Sequence, residues 1–143
     1  MDGNQANGGN NDPFTQQNGG SAYGGGICLT AGTVTLSNDT MTDNSANPGP
    51  GGGFPNLTQA EGGGIYIASQ ATATLCNDRV ESNSSSSSVY GFSPTDGGGI
   101  YIASGATVYI DSFTVANTIN NTDSSGLNGS TANIDGSYIL HSC

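Results

Sequence analysis

Gly97-Gly98-Gly99-Ile100-Tyr101-Ile102-Ala103-Ser104 repeats, letter for letter, Gly62-Gly63-Gly64-Ile65-Tyr66-Ile67-Ala68-Ser69. Gly24-Gly25-Gly26-Ile27-Cys28-Leu29 is a looser third copy. Gly24, Gly62 and Gly97 open these copies, 38 and then 35 residues apart. A motif returning at such a period marks stacked supersecondary units, each of which buries its apolar face against its neighbours.

Period-two alternation follows each glycine triplet. In residues 24–44, Ile27, Leu29, Val34, Leu36 and Met41 alternate with Cys28, Thr33 and Thr35. In residues 62–83, Ile65, Ile67, Ala73, Leu75 and Val80 take the same places. In residues 97–121 they are Ile100, Ile102, Val108, Ile110 and Val115. Such short alternating runs read as strands with the apolar set inward. Three strands per coil are expected, with ladders Ile27/Ile65/Ile100, Leu36/Leu75/Ile110 and Met41/Val80/Val115. Asn44 over Asn83 predicts an amide ladder at one corner, continued by Thr118. A fourth, shorter coil is expected where Ile134–Ile139 echoes Ile110–Val115, with Ser125-Gly126-Leu127 in place of the glycine triplet. Phe14 takes the place of Met41 one coil earlier. Residues 45–61 and 84–96 read as loop excursions, the first carrying Asn47-Pro48-Gly49-Pro50-Gly51 and the second a serine run. Residues 1–23 form an amino-terminal extension with a partial coil, and residues 24–143 the repeat domain.

These residues resemble the GGxI and FxxN repeats of polymorphic outer-membrane-protein-like adhesins, and more broadly right-handed parallel β-helix proteins of bacterial surfaces. GGxI matches at Gly25/Ile27, Gly63/Ile65 and Gly98/Ile100; FxxN matches in spacing at Met41/Asn44, Val80/Asn83 and Val115/Thr118. The resemblance implies an all-β, right-handed parallel β-helix of about three full coils with partial coils at both ends. It also implies an extracellular coil stack used for adhesion or structure.

Composition narrows the partners. Arg79 is the only Arg or Lys against 11 carboxylates, a net charge of −10, which argues against nucleic acid and anionic membranes. No apolar run is long enough to insert in a membrane. No signal peptide is evident, and Met1 reads as the start of a trimmed or re-expressed mature form. Only 33% of residues are hydrophobic, so a narrow stacked core is affordable and a broad one is not. An extracellular or cell-surface setting fits the many Asn and Thr residues. The sequons at Asn38, Asn56, Asn120 and Asn128 are candidate glycosylation sites; Asn83 also heads one, but an inward Asn83 cannot carry glycan.

Polysaccharide-active β-helices need clustered carboxylates, often with calcium. Asp39, Asp78 and Asp111 lie on successive coils and read as solvated turn residues, with incidental calcium bridging the alternative. No catalytic set, cofactor or dedicated metal site is expected, and His141 reads as terminal surface. Outward Thr33, Thr35, Thr72, Thr74 and Thr107 form a small array that reads as ordinary strand surface rather than an ice-binding face. Outward Tyr66, Tyr101 and Tyr109 either grip sugars or stack between coils. Cys28, Cys76 and Cys143 lack metal spacing. Cys28 and Cys143 sit at opposite ends, too far apart within one chain but able to approach as a disulfide between stacked chains.

A short column leaves unpaired strand edges and apolar core at both ends, and the sequence shows no capping helix or charged lid. The cheapest cover is another copy added head to tail, a contact that propagates. The expected function is therefore an extracellular structural protein stacking into a β-helical filament, with residues 1–18 reaching onto the preceding copy. The alternatives are a monomeric adhesin or glycan-binding module and, further off, a polysaccharide-active enzyme.

Overall fold

The computed structural model describes residues 1–9, 19–49, 58–86, 95–123 and 130–143. The described residues are all-β apart from two short helices. It opens with β1 (Gln5–Asn7) and then makes a first pass through β2 (Ala22–Tyr23), β3 (Ile27–Leu29), β4 (Thr33–Ser37), β5 (Thr40–Thr42) and β6 (Ser45–Asn47). The second pass is β7 (Ala60–Glu61), β8 (Ile65–Ile67), β9 (Thr72–Cys76), β10 (Arg79–Glu81) and β11 (Ser84–Ser85). The third is β12 (Thr95–Asp96), β13 (Ile100–Ile102), β14 (Thr107–Ile110), helix α1 (Ser112–Ala116), β15 (Thr118–Ile119) and β16 (Thr122–Asp123). Helix α2 (Ser130–Asn133), β17 (Ile134–Asp135) and β18 (Ile139–Leu140) end the chain.

Among the described residues every strand pairing is parallel, and each of the first three passes visits the same five sheets in the same order. Sheet A is β2-β7-β12, sheet B β3-β8-β13-β17, sheet C β4-β9-β14-β18, sheet D β5-β10-β15, and sheet E β1-β6-β11-β16. The registers stack like on like: Ile27, Ile65, Ile100 and Ile134 in sheet B, and Leu36, Leu75, Ile110 and Leu140 in sheet C. Ile65, Leu75, Ile100 and Ile110 are at most 1% exposed, so these columns are the core. Neighbouring levels lie about 4.8 Å apart, within reach of continuous side-chain contact.

Several expectations need correction. The passes carry five strands, not three. Ser45–Asn47 and Ala60–Glu61, read as parts of an excursion, are strands of sheets E and A, as are Ser84–Ser85 and Thr95–Asp96 of the second excursion. Their inward residues are small, and Ala22, Ala46 and Ala60 form a second core with Ala6. Short Ala and Ser strands carry no alternation that a hydrophobic pattern would detect. Residues 50–57 and 87–94 of the excursions, with Phe14 and the stretch from Ser125 to Leu127, lie outside the described residues.

The third inward column runs Met41, Val80, Thr118; Val115 is not in it. Asp111 caps α1, its carboxylate accepting from the Thr114 amide at 2.8 Å. The helical turn inserts three extra residues before sheet D and leaves Val115 half-buried against the core. The last pass also follows another register. Ile134 pairs with Ile100, and Ile139–Leu140 pair with Tyr109–Ile110, because the turn at Gly136 returns the chain quickly to sheet C. Residues 1–7 do not wait for another copy. Asp2 bridges to Thr42, and β1 pairs with β6 of the same chain.

Candidate functional site

The feature that runs the height of the molecule is a ladder of asparagines at the corner between sheets D and E. Asn4 donates its amide and Nδ2 to Asn44 Oδ1 at 3.0 and 2.9 Å. Asn44 does the same to Asn83 Oδ1 at 3.0 and 2.9 Å, and Asn83 to Asn121 Oδ1 at 2.9 and 3.0 Å. Asn121 donates to Asn133 Oδ1 at 3.1 and 3.0 Å. Asn44, Asn83 and Asn121 are buried, so each pair of bonds satisfies groups that water cannot reach. The expected rung at Thr118 is Asn121 instead. Asn4 and Asn133 were not anticipated. Met1-Asp2-Gly3-Asn4 against Met41-Thr42-Asp43-Asn44 was the available signal for the first.

The ladder needs room, and glycine provides it. A Cβ on Gly26 or Gly64 would meet Cγ of Asn44 or Asn83 at 3.3 and 3.1 Å, and one on Gly99 would meet Asn121 Nδ2 at 2.7 Å. The same Cβ atoms would lie 2.8, 2.7 and 2.5 Å from the carbonyl oxygen one level up, that of Gly64, Gly99 or Asn133. Asn133 stands directly above Gly99 in this column, since Ile134 pairs with Ile100.

The two ends of the sheets differ. At one end β2, β3 and β4 are outermost, and Ile27, Leu29, Val34 and Leu36 are only half-buried against the core. Residues 1–7 cover sheets D and E there. At the other end Leu140 is 68% and Ile139 53% exposed. Beside them a recess of about 250 Å³ is lined by Val115, Thr118, Asn133, Ile134 and Tyr138. Helix α2 packs on β16 and β17, and Ala132 is buried, so part of this end does carry a cap.

The cysteines pair otherwise than expected. Cys143 is bonded to Cys76 of the same chain, with Cα atoms 5.9 Å apart, and Cys28 is the free, exposed thiol. Past β18 the tail stays on sheet C as far as His141, whose amide donates to the Ile110 carbonyl at 3.0 Å and whose ring packs edge-on with Tyr109. The disulfide then holds Cys143 at the end of β9, two levels below β18. Burial pushes the Cys28 thiol above its ordinary value.

The outward column of sheet B runs Cys28, Tyr66, Tyr101, Asp135. The Tyr66 and Tyr101 rings stack at 5.6 Å and 5°, and Tyr23 leans on Tyr66 at 4.7 Å. Ring faces are turned toward one another, so the column presents mainly edges to solvent. Burial, with Glu61 nearby, pushes the Tyr66 phenol up. Thr33, Thr72 and Thr107 align outward on sheet C, as do Thr35, Thr74 and Tyr109.

The three nominated carboxylates serve the backbone. Asp78 is fully buried and accepts from the amides of Asp39 and Cys76 at 2.8 and 3.1 Å. Burial raises its pKa against the pull of those bonds. Thr114 continues this column, its Oγ1 accepting from the Asp78 amide. Phe113 lies 5.4 Å below the Arg79 guanidinium. Among the described residues, no three His, Cys, Asp or Glu side chains gather as a metal-binding group. None of their helices is long and apolar enough to cross a membrane. Of the sequons, Asn38 and Asn120 are exposed at left-handed turn positions, while Asn56 and Asn128 lie outside the described residues. No family model, curated protein or solved structure matches the chain.

Proposed function

We propose that this chain is an extracellular structural protein, a right-handed parallel β-helix whose subunits stack end to end. Five parallel sheets visited in constant order are what one winding coil produces. Parallel crossovers are right-handed in about 98% of cases. The observation that carries the stacking is the way the core columns run off both ends. Leu36 is half-buried at one end, Leu140 is 68% exposed at the other, and both belong to the column of Leu75 and Ile110. A second copy set on top would bring its Leu36 over Leu140 and its Ile27 over Ile134. An intrachain disulfide suits an oxidising, extracellular compartment.

The test is particle size. Sizing chromatography with light scattering across concentration, and negative-stain images, should show columns longer than one chain. Leu140→Asp and Leu36→Asp, each at an end, should shorten them. A native protein that stays monomeric at high concentration overturns the reading.

A second reading, a monomeric glycan-binding module, draws on the outward tyrosine column. It predicts saturable carbohydrate binding lost on Tyr66→Ala.

A further inference from the structure

Asn133 occupies a position that belongs, by every other rule of the stack, to something else. The levels below it place glycine there: Gly26, Gly64 and Gly99. Each glycine leaves space for the corner asparagine of its own level and for the carbonyl oxygen of the level above. Asn133 has a side chain at that point, and its Oδ1 accepts both hydrogen bonds from Asn121. That is the role an asparagine one level up would play.

The other end of the same ladder holds the matching part. Asn4 donates to Asn44 with the geometry of every other rung. Within the ladder, Asn4 is the lowest rung, and its Oδ1 accepts from no rung below. A copy stacked in register would bring its Asn4 Oδ1 over Asn121 and its Gly26 carbonyl over position 133. The first station is already filled by the Asn133 carboxamide. The second meets the Asn133 Cβ, just as a Cβ at Gly99 would meet the oxygen above it at 2.5 Å.

We propose that Asn133 is a stop: an intramolecular stand-in for the Asn4 of a second copy that closes the asparagine corner and limits how far copies can stack. This rests on the end-to-end reading above and adds its regulation. Contact between native copies is then confined to the exposed edges of sheets B and C, where Leu140 lies. Fully registered stacking requires the Asn133 side chain to be absent from the column.

Two substitutions separate space from hydrogen bonding. Asn133→Gly and Asn133→Ala both remove the acceptor from Asn121, but only glycine restores the clear column. Asn133→Gly should therefore raise the weight-average mass several-fold over the native protein at equal concentration, while Asn133→Ala should not. Adding Asn4→Ala to Asn133→Gly should return it to the native value. Circular dichroism and thermal melts establish that each variant is folded.

If Asn133→Gly, folded, associates no more than a native protein that itself stacks, the stop is overturned and the end-to-end reading stands. If the native protein is monomeric while Asn133→Gly stacks, the stop stands and native stacking falls. If all variants are folded and monomeric, both fall. A measurement on the native chain covers the case in which glycine unfolds this end. On concentrating the sample, side-chain amide resonances of Asn121 and Asn133 should stay fixed while Leu36 and Leu140 methyls shift. Movement of the Asn121 and Asn133 signals would overturn the stop.

Discussion

Asn83 shows what a single side chain does in this fold. It is 1% exposed, accepts from the amide and Nδ2 of Asn44, and donates to Asn121 Oδ1 and the carbonyls of Met41 and Glu81. Truncation strands partners on two levels at once. Each buried group left without a partner costs about 1–3 kcal/mol. Asn83→Ala should therefore lower stability by roughly 3 kcal/mol or more, read from the urea midpoint. A loss under about 1 kcal/mol would show the ladder to be energetically idle. Ser85 is the opposite case. It is 2% exposed, and its hydroxyl finds no hydrogen-bond partner among the described residues. It stands above Ala46 in sheet E, where a methyl group suffices. Ser85→Ala should raise the melting temperature; a fall would mean that the hydroxyl has a partner in solution.

At the scale of elements, α1 decides the register of the third pass, and its N-cap is titratable. Burial favours the neutral Asp111, but hydrogen bonds, from Thr114 above all, outweigh it and hold its carboxyl below the ordinary value. A group with a lowered folded pKa contributes stability above its unfolded pKa and loses it as pH falls through the folded one. Asp111→Asn should therefore cost stability at neutral pH, and the gap from the native protein should narrow on acidification. Paired melts across that range check this, and a gap that widens toward acid would reject the capping role. Asp78 works in the other sense, since burial raises its pKa. Its contribution is present in acid and declines as pH rises through the folded value, so Asp111→Asn should be compared with the native chain and not read alone.

For the whole molecule, the Cys76–Cys143 bond closes a 67-residue span. The loop-entropy relation gives about 4 kcal/mol for a span of that size. Cys143→Ser should lower the melting point accordingly, and reductant should lower that of the native chain but not of the variant. Native protein without reductant should take up one alkyl group per chain, at Cys28, with a rate that rises at higher pH than for an ordinary thiol because burial raises its pKa. Labelling at Cys143 in unreduced protein would contradict the intrachain bond.

The repeats alone determined the strands of sheets B and C and their mutual register, because large apolar residues alternate there and the glycine triplets fix the phase. Ile65 over Ile27 and Leu75 over Leu36 were legible for that reason. Sheets A and E were not, since Ala and Ser face inward there and leave no hydrophobic period. Tertiary structure decided three further things: that a helical turn moves Thr118, not Val115, into the Met41 column; that Cys143 folds back to Cys76; and that Asn133 takes the last rung of the ladder. Each depends on which backbone lies one level away. A linear pattern holds the period of its own strand but not the position of a neighbour separated from it by a turn of variable length.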